Sequence, residues 1–195
     1  MAKLKIYTFP DDVLAKKAAP IARVDRGYFK LADDMLETMY DAPGIGLAAN
    51  QVGILERILV VDTEYDVEEL PEGAPIPEGF EVTPGGILKN KHPLIMINPE
   101  IVYKEGKTAI EEGCLSVPEF TSEVPRAEKI KVRYQTIDGL TKELSAEGLQ
   151  AVCIQHELDH LEGRLFIDRL SPLKKEMAKK KLLKARTSST DDQEE

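Results

Sequence analysis

Gln155-His156-Glu157-Leu158-Asp159-His160 is the stretch from which the rest of this chain is read. It contains H-E-x-x-H. On a helix, residues four apart share a face, so both imidazoles can reach one ion. Glu157 sits next to the first histidine and can reach a metal-held water without filling a coordination position. The surrounding apolar period (Leu149, Val152, Cys153) runs with His156 and His160 and predicts a helix over 149–161, ending near Gly163 with the histidines on its core-facing stripe. Metal ligands held rigidly by a scaffold have that placement; two solvated histidines would sit among polar neighbours.

A third ligand is needed. In one H-E-x-x-H pattern it is a histidine six residues after the second, following a glycine at the third. Gly163 is in place, but Phe166 stands where that histidine would be. Glu176 lies in a basic tail. Cys114, in Glu111-Glu112-Gly113-Cys114-Leu115-Ser116-Val117-Pro118, is the better candidate, because Gly113 permits unusual backbone geometry or close packing beside a thiolate. The alternative for Cys114 is a small buried core residue, the commonest state of a free cysteine. Cys153 reads as core, and His92, between Lys91 and Pro93, as surface. Two imidazoles and one thiolate leave one position for water, the catalytic arrangement rather than the closed structural one.

Outward from this helix, residues 4–9 read as a short strand, and Pro10-Asp11-Asp12 opens a turn or helix. Tyr28, Leu31, Met35 and Met39 mark an amphipathic helix over about 27–41, stopped by Asp41-Ala42-Pro43. Arg57 to Asp62 is a β-branched run, read as a central strand. Residues 62–90 are rich in carboxylates and prolines, without Lys or Arg before Lys89, and read as a surface insertion or long loop. His92 to Tyr103 is strand-like. Ala127 to Ile137 and Leu140 to Leu144 predict a hairpin across Asp138-Gly139. Without βα alternation, the expected class is α+β: antiparallel or mixed sheets around the central H-E-x-x-H helix, with a C-terminal helix. The expected organisation is a catalytic domain over 1–173, carrying the acidic insertion at about 62–90, followed by a basic helix and a disordered acidic tail over 174–195.

The bulk properties fit one soluble domain of 195 residues. A formal net charge of -9 repels nucleic acid and anionic lipid, so DNA and membrane partners are not expected. No apolar run approaches the roughly 18 residues of a membrane helix. Two cysteines make no disulfide framework, and Met-Ala-Lys-Leu-Lys lacks a signal-peptide core, so a cytoplasmic location is expected.

Gly44-Ile45-Gly46-Leu47-Ala48-Ala49-Asn50-Gln51 formally matches the dinucleotide fingerprint G-x-G-x-x-A. That fingerprint needs a strand before it and a helix after it, whereas here a helix precedes and a strand follows. The segment is either a close-packing stretch of small residues or the lining of a substrate groove, with Gln51 offering amide donors to an oxyanion.

Three segments in order, Gly44 to Gln51, Glu112 to Ser116 and Gln155 to His160, together resemble the three motifs of the peptide deformylase family, over about residues 4–175. The resemblance implies that Cys114, His156 and His160 bind a metal and that Glu157 is the general acid/base. It implies that the Leu115 backbone N–H and the Gln51 side chain stabilise the oxyanion. Gly44, Ile45, Gly46, Glu112, Gly113, Val152 and Cys153 would contact the substrate, with Ile45, Val152, Cys153 and the His156 ring flanking a methionine pocket. The implied metal is Fe²⁺, with Zn²⁺ or Ni²⁺ as alternatives in a purified sample. The implied reaction removes the formyl group from the N-terminal formyl-methionine of newly synthesised polypeptides and releases formate. The chain departs from the pattern at Thr121, where many members carry Arg, and in the length of the 62–90 segment. Arg126 matches the downstream V-P-R-A-E-K frame.

From Lys174 to Arg186 seven cationic residues (Lys174, Lys175, Lys179, Lys180, Lys181, Lys184, Arg186) stand against Glu176. A solvated helix is one reading; contact with ribosomal RNA is the other, and the family resemblance implies a place for it near the peptide exit tunnel. Ser188 to Glu195 reads as disordered. The runner-up enzyme is an H-E-x-x-H metallopeptidase, and the non-enzymatic alternative is a metal-stabilised binding module.

Overall fold

The computed structural model describes residues 3–70 and 81–191. Its first long element, α1 (Arg26–Asp41), starts where Asp25 accepts a hydrogen bond from the Gly27 N–H (2.8 Å), satisfying one of the unpaired donors of the first turn. It ends at Ala42, ahead of Pro43. Next come β1 (Gly46–Ala48), a 3-10 turn (Ala49–Val52) and β2 (Ile58–Val61).

β2 explains the architecture. It is apolar without interruption because both of its faces are covered. Leu59 and Val61 pack with Met96, Val132, Ile154 and Leu161, while Ile58 and Val60 pack with Met35, Met39, Leu47 and Ile97. Successive strand residues point to opposite faces, so four residues join two cores. The expected central strand is therefore present, sandwiched between α1 on one side and α2 (Gly148–Leu161) on the other. The strands β6 (Leu94–Glu105), β9 (Lys129–Gln135) and β10 (Thr141–Glu147) complete an antiparallel sheet in the order β1-β2-β6-β9-β10. The β9–β10 turn is the hairpin expected across Asp138-Gly139.

Three expectations are corrected. Residues 4–9 form no strand; the Tyr7 N–H donates to the Gln51 carbonyl (2.7 Å) and the Phe9 N–H to that of Ser116 (2.9 Å), so the segment ties two loops together instead of joining a sheet. The 62–90 segment is not only loop: β3 (Asp66–Glu68), β4 (Val82–Thr83) and β5 (Gly86–Lys89) form a small sheet in the order β3-β5-β4, anchored by Ile87 and Leu88. Residues 71–80 of that segment lie outside the described residues. The C-terminal helix α3 (Pro172–Asp191) continues through part of the stretch read as disordered, whose last residues, 192–195, also lie outside the description.

The sequence reading left 108–126 unassigned. It is a two-stranded hairpin of β7 (Thr108–Cys114) and β8 (Val117–Arg126). A third core, with Leu14, Val117, Val124, Phe166, Ala178 and Leu182, joins this hairpin to α3 and to the 3-10 turn at Phe166–Arg169. The α+β class is as expected, and among the described residues no helix is long and apolar enough to cross a membrane.

Candidate active site

α2 is buried almost all round, and its polar residues are buried with it: Gln155, His156, Glu157, Asp159 and His160. Burial of such groups requires partners. The Gln155 amide donates to the Ala127 carbonyl (2.9 Å) and accepts from the Ala127 N–H (3.0 Å). Asp159 accepts from Arg126 Nη1 (2.5 Å) and from Arg169 Nη2 (2.5 Å). The helix stops at Gly163, whose φ of 70° and close approach to Ala15 leave no room for a side chain; a Cβ there would lie 2.6 Å from the Ala15 carbonyl oxygen.

The two histidines face one another, as their i, i+4 spacing requires, with their Nε2 atoms 3.2 Å apart. Cys114, at the end of β7, brings its Sγ to 3.2 Å from His160 Nε2. The three donor atoms lie within 4.8 Å of one another. His156 Nδ1 is 2.8 Å from Glu112 Oε2, so Nδ1 carries the proton and the Nε2 lone pair points inward. Glu112 is fixed in turn by Arg126, which donates through Nε to Oε1 (2.7 Å) and through Nη2 to Oε2 (2.8 Å). Two imidazole nitrogens and one sulfur, converging behind an oriented carboxylate, fit a divalent iron or zinc ion.

The electrostatics agree with this fit. Burial opposes charge on His156, but the Cys114 sulfur and the Glu112 carboxylate outweigh it and hold the ring's pKa well above its ordinary value. Burial, with the charges of His156 and Arg126, pushes His160 well below its own. The Cys114 sulfur and the Glu112 carboxylate therefore favour positive charge at His156, whereas His160 is held neutral. Burial pushes Glu157 up to about 7, against the pull of His156 and Arg126. Its Oε2 is buried without a hydrogen-bond partner among the described residues. An unpaired buried carboxyl oxygen beside three metal-type donors is a group held ready for a proton.

These groups open onto a cavity of about 350 Å³. Its wall includes Gly44, Ile45, Gly46, Gln51, Glu112, Gly113, Cys114, Leu115, Val152, Cys153, His156 and Glu157. Every sequence-predicted site residue therefore lines this cavity except His160, whose Nε2 lies 3.2 Å from both Cys114 Sγ and His156 Nε2. Gly46 is needed there for close approach: a Cβ would fall 2.4 Å from Glu157 Oε1 and 2.8 Å from Cys153 Sγ. Gln51 accepts from the Ala48 N–H (2.8 Å), and its Nε2 points to Cys114 Sγ (3.6 Å) and Ser116 Oγ (3.2 Å). The small-residue segment thus lines the cavity rather than merely packing. Cys153, read as core from its spacing, is buried and also lines the cavity, donating to the Ile45 carbonyl (3.4 Å). His92 is exposed, as expected.

Sequence reasoning missed several residues. Ile110 and Leu149 add apolar wall. Ser116 is fully buried, and its N–H donates to Cys114 Sγ (3.4 Å). Phe166, noted only as a missing histidine, stacks on the His156 ring at 6.0 Å between centroids. Asp159 and Arg169 gave no signal, because a carboxylate and a guanidinium in a charged stretch look like solvated surface. At Thr121, the hydroxyl donates to Glu111 (2.7 Å).

Known proteins resemble this chain along nearly its whole length. The family model described as polypeptide deformylase matches residues 3–176. A peptide deformylase of Alkalilimnicola ehrlichii is 48% identical over 184 residues, covering 94% of this chain and 91% of the relative. One of Nitrosococcus oceani is 48% identical over 181 residues, covering 93% and 95%. Among solved structures, a peptide deformylase from Legionella pneumophila superposes with a TM-score of 0.80 at 40% identity, covering 97% of this chain and 98% of that one. One from Ehrlichia chaffeensis, in complex with actinonin, gives 0.78 at 39% identity, covering 95% and 98%. With the family model spanning nearly the whole chain and relatives this similar end to end, the chain belongs to the polypeptide deformylase family.

Proposed function

We propose that this site removes the formyl group from the N-terminal formyl-methionine of newly synthesised polypeptides, with Cys114, His156 and His160 holding a divalent metal and Glu157 moving the proton. The observation that carries the reading is the convergence of the three donor atoms, within 4.8 Å, beside a buried and unpaired Glu157 carboxyl. A bound ion would act as a Lewis acid and bring the pKa of a water towards about 7.

The remaining steps belong to the chain's own residues. Glu157, pushed up to about 7 by burial, takes a proton from the water that attacks the formyl carbon. The same carboxyl returns that proton to the amine nitrogen as the C–N bond breaks. Formate leaves with the water's oxygen, and a free amino terminus remains. Gln51 Nε2 and the Leu115 N–H donate to the oxyanion as it forms. Gly46, on edge strand β1, lets the substrate backbone approach. Ile45, Val152 and Cys153 offer the apolar wall against which a methionine side chain is buried, and Gly44, Glu112 and Gly113 border the same cavity. Fe²⁺ is the proposed ion; the N₂S donor set also suits Zn²⁺ and Ni²⁺.

The same reading treats residues 1–173 as the catalytic domain and 174–195 as an appended basic segment in a cytoplasmic protein. Lys174 to Arg186 would dock on ribosomal RNA near emerging chains, and the exposure of Lys174, Lys180 and Lys184 on α3 supports this. Co-sedimentation with ribosomes, compared between wild type and a K174E/K179E/K180E variant, tests this; equal and salt-insensitive binding removes it.

The function itself is tested with anaerobically prepared protein of measured metal content. Formate release from a formyl-methionyl peptide is expected, abolished by chelation and competed by actinonin. Internal peptide cleavage without formate release would make the chain a metallopeptidase, and one bound metal with neither activity a binding module.

A further inference from the structure

The wall behind the histidines contains an unbroken line of paired charges that reaches the surface. His156 Nδ1 meets Glu112, and Glu112 meets Arg126 through two hydrogen bonds. Arg126 Nη1 meets Asp159 Oδ2, and Asp159 meets Arg169 through both of its oxygens. Signs alternate along the line, so the two carboxylates and two guanidiniums sum to zero. Arg126 is 1% exposed at its side chain, whereas Arg169, at the outer end of the line, is 37% exposed, the most of the four.

From this geometry we infer that Arg169 is a positioning residue for the metal centre, acting on His156 through Asp159, Arg126 and Glu112. The inference rests on the ligand set proposed above. The physical argument is a competition for Arg126, whose guanidinium lies between two carboxylates. Arg169 supplies hydrogen bonds to both oxygens of Asp159, so Asp159 draws less on Arg126. Arg126 then keeps Nε and Nη2 on Glu112, and Glu112 holds the His156 ring in the tautomer and orientation that aim Nε2 inward. Without Arg169 the line carries an uncompensated buried carboxylate, and Asp159 pulls Arg126 away from Glu112.

Arg169 closes the 3-10 turn Phe166–Arg169, which is anchored elsewhere as well: Phe166 stacks on His156 and on Phe120, and Asp168 pairs with Lys175 of α3 (2.7 Å). The test must separate the charged line from mere anchoring of that turn. R169Q removes charge and fork; R169K keeps the charge and loses the fork; K175A frees the turn's other polar attachment without touching the line. Each is loaded with zinc and transferred to an excess of chelator, and the rate of zinc loss is measured. The downfield His156 Nδ1–H proton resonance is recorded on the same zinc-loaded samples.

Wild type is expected to hold one zinc. R169Q is expected to lose it about ten-fold faster, the lower end for groups that orient metal ligands. R169K should fall between the two, and K175A should match wild type. The Nδ1–H resonance should move in R169Q and stay in K175A. Equal zinc loss and an unmoved resonance in R169Q and R169K would overturn the inference while leaving the ligand set intact. So would a K175A variant that loses zinc as fast as R169Q. Wild-type protein that binds no zinc would sink the ligand set and this inference together.

Discussion

α2 and α3 are both helices with many polar residues, and they solve opposite problems. α2 is enclosed by the five-stranded sheet and the β7–β8 hairpin, and its polar groups are individually matched: Gln155 to the backbone of Ala127, His156 to Glu112, Asp159 to two guanidiniums. α3 lies on the outside, held by the buried Ala178 and Leu182 and by polar ties at its surface: Lys175 to Asp168, Lys181 Nζ to the Glu119 carbonyl (2.7 Å) and Arg186 to Asp11 (2.9 Å). Neither is a simple amphipathic stripe. Polarity on a helix therefore says little about depth; the number of dedicated partners per polar group does. In α2 the exceptions to full pairing, Glu157 Oε2 and His160 Nδ1, fall at the metal-type donors.

The sharpest way to separate the two helices is to remove the unpaired group. Glu157→Gln should reduce formate release by about 100- to 10 000-fold, the range for loss of a positioned acid/base, with metal content unchanged by elemental analysis. Since burial disfavours the Glu157 charge, the variant should melt at or above the wild-type temperature. A near-normal rate would end the assignment of Glu157 as acid/base.

The next effect is on stability. Arg126→Leu leaves Glu112 and Asp159 buried without their shared cation and should cost about 3–5 kcal/mol in urea unfolding. A loss below about 1 kcal/mol, the size expected of a surface pair, would mean that the interior of α2 is no more committed than the exterior of α3.

The same contrast governs what could be read from the sequence. The α2 site was legible because four-residue spacing on a helix fixes where two side chains meet, and Phe166 in place of a histidine turned attention to Cys114. β2 was legible because burial on both faces leaves an uninterrupted apolar run. The β7–β8 hairpin was not, because its inward-facing residues include Glu112 and Arg126, which break the apolar alternation that marks a strand. Residues 4–9 have strand-like composition, yet their N–H groups find partners in the Gln51 and Ser116 loops, and composition carries no information about which acceptor is nearest. The pairing of Asp159 with Arg126 and Arg169 spans 33 and 10 positions, and no local pattern encodes it.

Gly46→Ala is a smaller perturbation that acts at the contact between α2 and β1. Its Cβ would press on Glu157 and Cys153, so overpacking should cost about 1–3 kcal/mol and reduce formate release more than it reduces stability. The matching substitution Gly139→Ala is a useful contrast, since a Cβ there meets no atom within 4 Å and only the positive φ of 79° resists it. If both variants retain full activity, close approach at Gly46 does not position Glu157.

The smallest effect is expected at α3. The Arg186 hydrogen bond holds the Asp11 carboxyl below its ordinary value; burial opposes it, and the Thr8 N–H adds to it. A depressed carboxylate pKa contributes stability that is present above the unfolded value near 3.8 and is lost as pH falls through the folded one. For so exposed a pair that contribution is under about 1 kcal/mol. The protection of α3 amides, relative to their intrinsic exchange rate at each pH, should therefore fall slightly below pH 4, and similarly in about 1 M salt, where the screening length is only about 3 Å. Arg186→Ala should show the faster exchange already at neutral pH and respond no further to salt at that end. α2 amides should be indifferent to the salt step and to this substitution, because their charge pairs lie where salt does not penetrate. If α2 protection instead falls in step with α3, the two helices open as one unit, and the outer helix is part of what keeps the metal-type donors together.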